Sequence, residues 1–204
     1  MKTSTVILYA LLGYLIGAIP FAYLIGKYIV RRDIRQVGDG NPGGTNVLIA
    51  GGWRIGLLTI VIEIFKGFLP VYLARRAGLT DWSLIPILLS PILGHGTQPF
   101  LKFKGGKALG ATGGAWIGII GFWVFPIFSF GAVPMLALQK ENAYSSIAGM
   151  LALVGCAVFI IRLDWVILFS LLNTSIILWT HRRHLGNPMI FRECIARLFV
   201  RREA

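Results

Sequence analysis

The sequence predicts an all-α, polytopic membrane protein with seven transmembrane helices, and three observations point there. Hydrophobic residues make up 56% of the 204 positions, charged residues only 14%, and mean hydropathy is +0.74. A soluble domain carries about 25% charged residues. The apolar runs recur along the whole length and are continuous rather than alternating, which selects helices over a β-barrel. Lys and Arg gather at the ends of those runs. Retention of loops on the cytoplasmic side therefore explains most of the net charge of +12, and no nucleic-acid partner is expected. No loop is long enough for a soluble domain, so residues 1–204 are expected to form one integral-membrane unit.

Residues 5–30 are the first apolar run. It exceeds the ~7–15 residues of a signal-peptide core, and no small-x-small cleavage site follows. A transmembrane helix is expected, kinked at Pro20. Residues 31–52 form a loop carrying Arg31, Arg32 and Arg35, then Gly38-Asp39-Gly40-Asn41-Pro42-Gly43-Gly44-Thr45-Asn46. That density of Gly and Pro argues against regular helix. The segment is either a backbone nest for a polyanion or only a tight turn. Residues 53–74 are the second span. Its Glu63 and Lys66, three apart, share one helix face and need a partner or polar cavity inside a membrane. A self-contained pair that only orients the helix is the plainer alternative.

Residues 82–93 are a short third span interrupted by Pro86 and Pro91. The loop 94–107, GHGTQPFLKFKGGK, follows. Its Lys-Gly-Gly-Lys lets backbone N–H groups approach an anion while ammonium groups neutralise it; a solvated basic turn is the alternative. Residues 108–139 are too long for one ~20-residue crossing and are expected to divide near Gly121 into the fourth and fifth spans. After the polar link 140–144, residues 145–161 and 165–180 are the sixth and seventh, and the tail 181–204 is basic. Cys156 lies in an apolar run and Cys194 in the tail, so neither a disulfide nor a metal spacing is expected.

With the N-terminus outside, fifteen Lys and Arg residues fall in inside segments. Four fall outside: Lys2, Arg75, Arg76 and Arg162. This bias sets the orientation, with a cytoplasmic C-terminus. It also puts the Gly-Asn loop, the Gly-Gly-Lys loop, Ser145–Ser146 and His181-Arg182 on one face. The sum is a basic, glycine-lined cleft for small anionic substrates. Metal catalysis lacks ligands, because His95, His181 and His184 have no carboxylate companions at useful spacing. A Ser-His-Asp triad has no nucleophile elbow.

Five motifs in order resemble the bacterial integral-membrane acyl-phosphate:glycerol-3-phosphate acyltransferases. They are Gly17-Ala18-Ile19-Pro20; Gly38 through Asn46; Glu63-Ile64-Phe65-Lys66-Gly67; Gly94-His95 through Pro99, Phe103 and Gly105-Gly106-Lys107; and His181-Arg182. The resemblance spans nearly the whole chain. It implies transfer of a fatty acyl group from acyl phosphate to the sn-1 hydroxyl of glycerol 3-phosphate, giving lysophosphatidic acid, the first step of phospholipid synthesis. It implies no cofactor, no metal and no acyl-CoA, and a multi-pass monomer in the cell membrane with its active site on the cytoplasmic side. By the match, Lys107 contacts substrate phosphate, His181 orients glycerol phosphate, Asn41 and Asn46 line the phosphate loop, and Lys66 and His95 support the site; a helix-end cap is the plainer alternative for His95. Gly40, Thr45, Lys104, Gly105, Gly106, Ser145 and Arg182 complete the expected substrate contacts.

The chain departs from the family pattern at Asp39, where Ser is usual, and at Ile49, where Arg is usual. Asn142, Ala148 and His184 replace Arg, Ser and Asn, and the segment after Lys107 is shifted by one residue. Asp39 is expected to act in catalysis, either paired with Lys107 or a first-loop Arg, or as base for the attacking hydroxyl. These departures leave two other readings open: an acyltransferase with another acceptor, or a non-enzymatic lipid- or anion-binding membrane protein.

Overall fold

The computed structural model describes residues 2–192; Cys194 and the tail arginines Arg197, Arg201 and Arg202 lie outside the described residues. The described chain is helical. Its α-helices are α1 (Lys2–Ala18), α2 (Phe21–Ile25), α3 (Gly44–Gly51), α4 (Trp53–Arg76), α5 (Ile85–Thr97), α6 (Leu109–Ile120), α7 (Val124–Leu138), α8 (Asn142–Cys156) and α9 (Asp164–Leu185). Among the described residues, four helical stretches are long and apolar enough to cross a membrane: Thr3–Val30, Trp53–Arg76, Leu109–Leu138 and Asn142–Ile161.

Pro20 breaks the first run as expected, separating α1 from α2. A π-helical turn, Gly26–Val30, then ends the run at Arg31, which is left-handed at φ 59°. Residues 108–139 divide at Gly121, φ 63°, a backbone conformation that favours glycine.

Two expectations are corrected. The first loop is not free of helix: α3 occupies Gly44–Gly51. The Gly-Pro density ends at its extended N-cap, Gly43. Beyond it Val47 supplies an apolar residue that packs with Ala22, Ile25 and Ile34. The second correction concerns residues 94–97, which belong to the last turns of α5 and not to a loop. Gly94 lies against the backbone of Tyr14 and Ala18, so its small size serves helix packing rather than a turn.

The helices pack in pairs, α1 on α5, α4 on α6 and α7 on α8, with α9 touching α5 and α8. Small residues set the close approaches. Gly17 meets the backbone of Pro91, Gly67 that of Ala111, and Gly114 that of Ile64. Among them lies a core including Leu88, Ile92, Trp116, Met150, Leu153 and Phe169. Within it Trp116 Nε1 donates to Asn173 Oδ1 at 3.1 Å, and Asn173 Nδ2 to Thr112 Oγ1 at 3.2 Å. These bonds tie α6 to α9 where no water can substitute.

Candidate active site

The site rests on a buried ionic cluster at the break in the first helix. A break exposes backbone groups that water cannot satisfy inside a bundle. Glu63 Oε1 accepts the Ala22 N–H at 3.2 Å, and Lys66 Nζ donates to the Ile19 carbonyl at 3.2 Å. Glu63 Oε2 is 2.7 Å from Lys66 Nζ and 3.0 Å from His95 Nδ1. All three side chains are buried. The Glu63–Lys66 pair is therefore not self-contained; it joins α4 to the break after α1, to α2 and to α5.

Above His95 runs the loop to Lys107. The Gly106 N–H donates to the His95 carbonyl at 3.2 Å. A side chain at Gly106 would meet His95 Nε2, and one at Gly105 would meet the Gly96 carbonyl. The two glycines are thus required by close approach to α5. The segment also holds Gln98, Lys102, Phe103 and Ala108 in left-handed conformations, φ 43–61°. Each costs roughly 1 kcal/mol for a non-glycine residue, and strain gathered in one loop marks a functional segment.

The first loop meets this one through Asp39. Asp39 Oδ2 lies 2.6 Å from Lys107 Nζ. Its Oδ1 accepts the Asn41 N–H at 3.1 Å and Asn46 Nδ2 at 3.0 Å. Asn41 Oδ1 accepts the Lys107 N–H at 3.1 Å. From the other side, Thr180 Oγ1 at the end of α9 donates to the Lys107 carbonyl at 3.2 Å. Partial burial pushes the Asp39 carboxyl up, but the hydrogen bonds from Lys107, Asn41 and Asn46 outweigh it and hold it below the ordinary carboxylate range. Nearby Asp33 is held down to about 2, chiefly by its hydrogen bonds with the Arg35 guanidinium.

These loops and the end of α9 enclose a cavity of about 560 Å³. Asp39, Gly40, Asn41, Lys104, Gly105, Gly106, Lys107 and Arg182 line it. Asn46 lies behind the wall, bonded to Asp39. Lys66 and His95 lie beneath it in the ionic cluster. Thr45 is exposed in the first turn of α3 and is not in the lining. Ser145 is buried and accepts a hydrogen bond from Gln139 Nε2 at 3.2 Å, away from the cavity. His181 is also buried: Nδ1–H donates to the Ile177 carbonyl at 2.9 Å, and Nε2 has no partner. It is Thr180, Arg182, Arg183 and His184 that open onto the cavity. Arg35, Arg183 and Trp179 are lining residues that sequence reasoning missed. For Arg183 the signal was present, as the second of two adjacent arginines past the last apolar run.

The cavity is basic. Arg35 is paired with Asp33 and Lys107 with Asp39, whereas Lys104, Arg182 and Arg183 have no carboxylate within ion-pair distance among the described residues. Such an arrangement can hold a phosphate among its cations. Among the described residues there is no cluster of His, Cys, Asp or Glu able to hold a metal.

A family model for glycerol-3-phosphate acyltransferase matches residues 7–189. A glycerol-3-phosphate acyltransferase of Thermus thermophilus is 36% identical over 184 residues, covering 86% of this chain and 87% of the relative. One from Burkholderia cenocepacia is 32% identical over 195 residues, covering 92% and 89%. The fold is similar to crystal structures of PlsY (YgiH), an integral membrane glycerol 3-phosphate acyltransferase. The glycerol 3-phosphate form has TM-score 0.77 and 25% identity, covering 95% of this chain and 98% of that one. The lysophosphatidic acid form has TM-score 0.75, with 89% and 90% covered.

Proposed function

Because the chain belongs to the glycerol-3-phosphate acyltransferase family, we propose that it acylates the sn-1 hydroxyl of glycerol 3-phosphate from an acyl phosphate. The product is lysophosphatidic acid. The hydroxyl oxygen adds to the acyl carbonyl carbon, the bond from that carbon to the phosphate oxygen breaks, and the hydroxyl proton leaves on the departing phosphate. An acyl phosphate already carries a good leaving group, so positioning and charge stabilisation supply much of the acceleration.

The observation that carries this reading is the meeting of Asp39, Asn41 and Lys107 in a cavity that also holds Lys104, Arg182 and Arg183. Lys107 takes a substrate phosphate, exchanging Asp39 for it. Lys104 and Arg182 hold the second anion, beside Gly105 and with Gly106 seating the turn on α5. Gly40 and Asn41 shape the opposite wall, and Asn46 fixes Asp39. His181 sets the end of α9 through its hydrogen bond to Ile177, and Ser145, bonded to Gln139, sets the start of α8. Thr45 starts α3 behind the loop. The apolar runs support seven crossings, and the Lys and Arg bias an outside N-terminus and a cytoplasmic cavity. The unit is a monomer.

Asp39 also favours a second reading, an alcohol acceptor other than glycerol 3-phosphate, because it places a negative charge on the cation that would hold the acceptor phosphate. Both are tested by supplying the detergent-purified protein with palmitoyl phosphate and glycerol 3-phosphate. Phosphate release with lysophosphatidate is expected, and Lys107→Ala should lower turnover at least tenfold. Phosphate release only with another alcohol selects the second reading. No turnover with any acceptor overturns both.

A further inference from the structure

Beside the large cavity lies a smaller one, about 180 Å³, lined by Tyr23, Lys27, Arg31, Arg32 and Asp33. Asp33 is common to both linings. Local geometry builds the hollow. The π-helical turn over Gly26–Val30 widens the end of the first run, and left-handed Arg31 reverses the chain. The Arg32 N–H then bonds back to the Gly26 carbonyl at 3.0 Å. Lys27, Arg31 and Arg32 are thereby brought around one opening.

Its charge is unbalanced. Asp33, the acid in the wall, is engaged by Arg35, with Nε to Oδ1 at 2.9 Å and Nη2 to Oδ2 at 2.6 Å. Arg35 is held in turn over the Tyr23 ring at 4.7 Å. Lys27, Arg31 and Arg32 have no carboxylate within ion-pair distance among the described residues. The adjoining surface is apolar: Tyr28 is 67% exposed and Ile29 59%. These two residues close the first membrane-length stretch, so they lie where lipid chains meet headgroups. The volume matches about six water-sized groups. That is room for a phosphate headgroup, with its chains left outside along the helix.

We propose that Lys27, Arg31 and Arg32 form a binding site for the phosphate of an anionic phospholipid in the surrounding leaflet. Basic juxtamembrane pockets attract such headgroups. The site adjoins the acyl-transfer cavity at Asp33 but does not rest on the reaction assigned to that cavity.

The test uses the full chain in nanodiscs of mixed phosphatidylglycerol and phosphatidylcholine, with lipid retention read by native mass spectrometry. The intact protein should retain phosphatidylglycerol in preference to phosphatidylcholine. Lys27→Gln/Arg31→Gln/Arg32→Gln should lower that retention at least tenfold, with an unchanged melting midpoint as the check on folding. If the triple variant melts early, Lys27→Gln/Arg31→Gln takes its place in the same comparison. Inorganic phosphate at the lipid's concentration should not displace the lipid. Retention that survives the substitutions, an absence of lipid preference, or displacement by inorganic phosphate overturns the proposal.

Discussion

The Lys107 ammonium lies 2.6 Å from the Asp39 carboxylate, joining two loops 68 residues apart in the chain at the mouth of the basic cavity. The cation that suits an incoming phosphate already has an anion on it. Asp39 is thus a resident counter-ion, held in turn by Asn46 and the Asn41 N–H.

Removing that counter-ion should strengthen acceptor binding. Asp39→Ser leaves Lys107 free, and KM for glycerol 3-phosphate should fall several-fold with kcat kept or raised. Steady-state kinetics at fixed acyl phosphate reads the two separately. A kcat more than tenfold lower would instead make Asp39 the base.

The same pair sets a pH signature. Because the folded Asp39 carboxyl is held below its unfolded value of about 3.9, the tie it makes is fully present above that value. It is lost as pH falls through the lower, folded value. The ratio of kcat/KM between the parent and Asp39→Asn should therefore stay constant from pH 5 to 8. A ratio that changes near neutrality would contradict the counter-ion role.

The two loop glycines should not tolerate a methyl group equally. At Gly105 the obstacle is the Gly96 carbonyl, part of the helix backbone; at Gly106 it is the His95 ring, a side chain. Gly105→Ala should lower turnover at least tenfold, and Gly106→Ala by less. Equal, near-parent rates would show that the loop does not need its seat on α5.

Breaking the buried cluster should cost stability before it costs chemistry. Glu63→Gln leaves the Lys66 ammonium buried without its carboxylate, a loss of about 3–5 kcal/mol for such a pair. The melting midpoint in detergent should drop clearly. Glu63→Gln/Lys66→Met should recover part of the loss, since no orphan charge then remains.

The helical, membrane-spanning character and the glycine-rich loops were legible because composition and local motifs carry them. The partners of Glu63 were not. Spacing put Lys66 beside it, but nothing local places the Ala22 N–H at Glu63, or the Ile19 carbonyl at Lys66, from more than forty residues earlier. Nor does position reveal which way a residue faces at a helix end. His181 and Arg182 are neighbours, yet the first points into the bundle and the second into the cavity. Gly94 and Gly96 read as loop residues because a packing glycine and a turn glycine are the same letter. Asp39 was readable as a departure, and its pairing with Lys107 was one of the alternatives the charges allowed.

The break at Pro20 makes the site answerable to the bilayer. The first helix is not continuous, and its two halves are held together by Glu63 and Lys66, with Glu63 also meeting the histidine beneath the Gly-Gly-Lys turn. A membrane thicker or thinner than the helices prefer tilts or bends them. That deformation has a direct route from the lipid to the cavity floor, so hydrophobic thickness becomes a variable of the enzyme and not only of its surroundings.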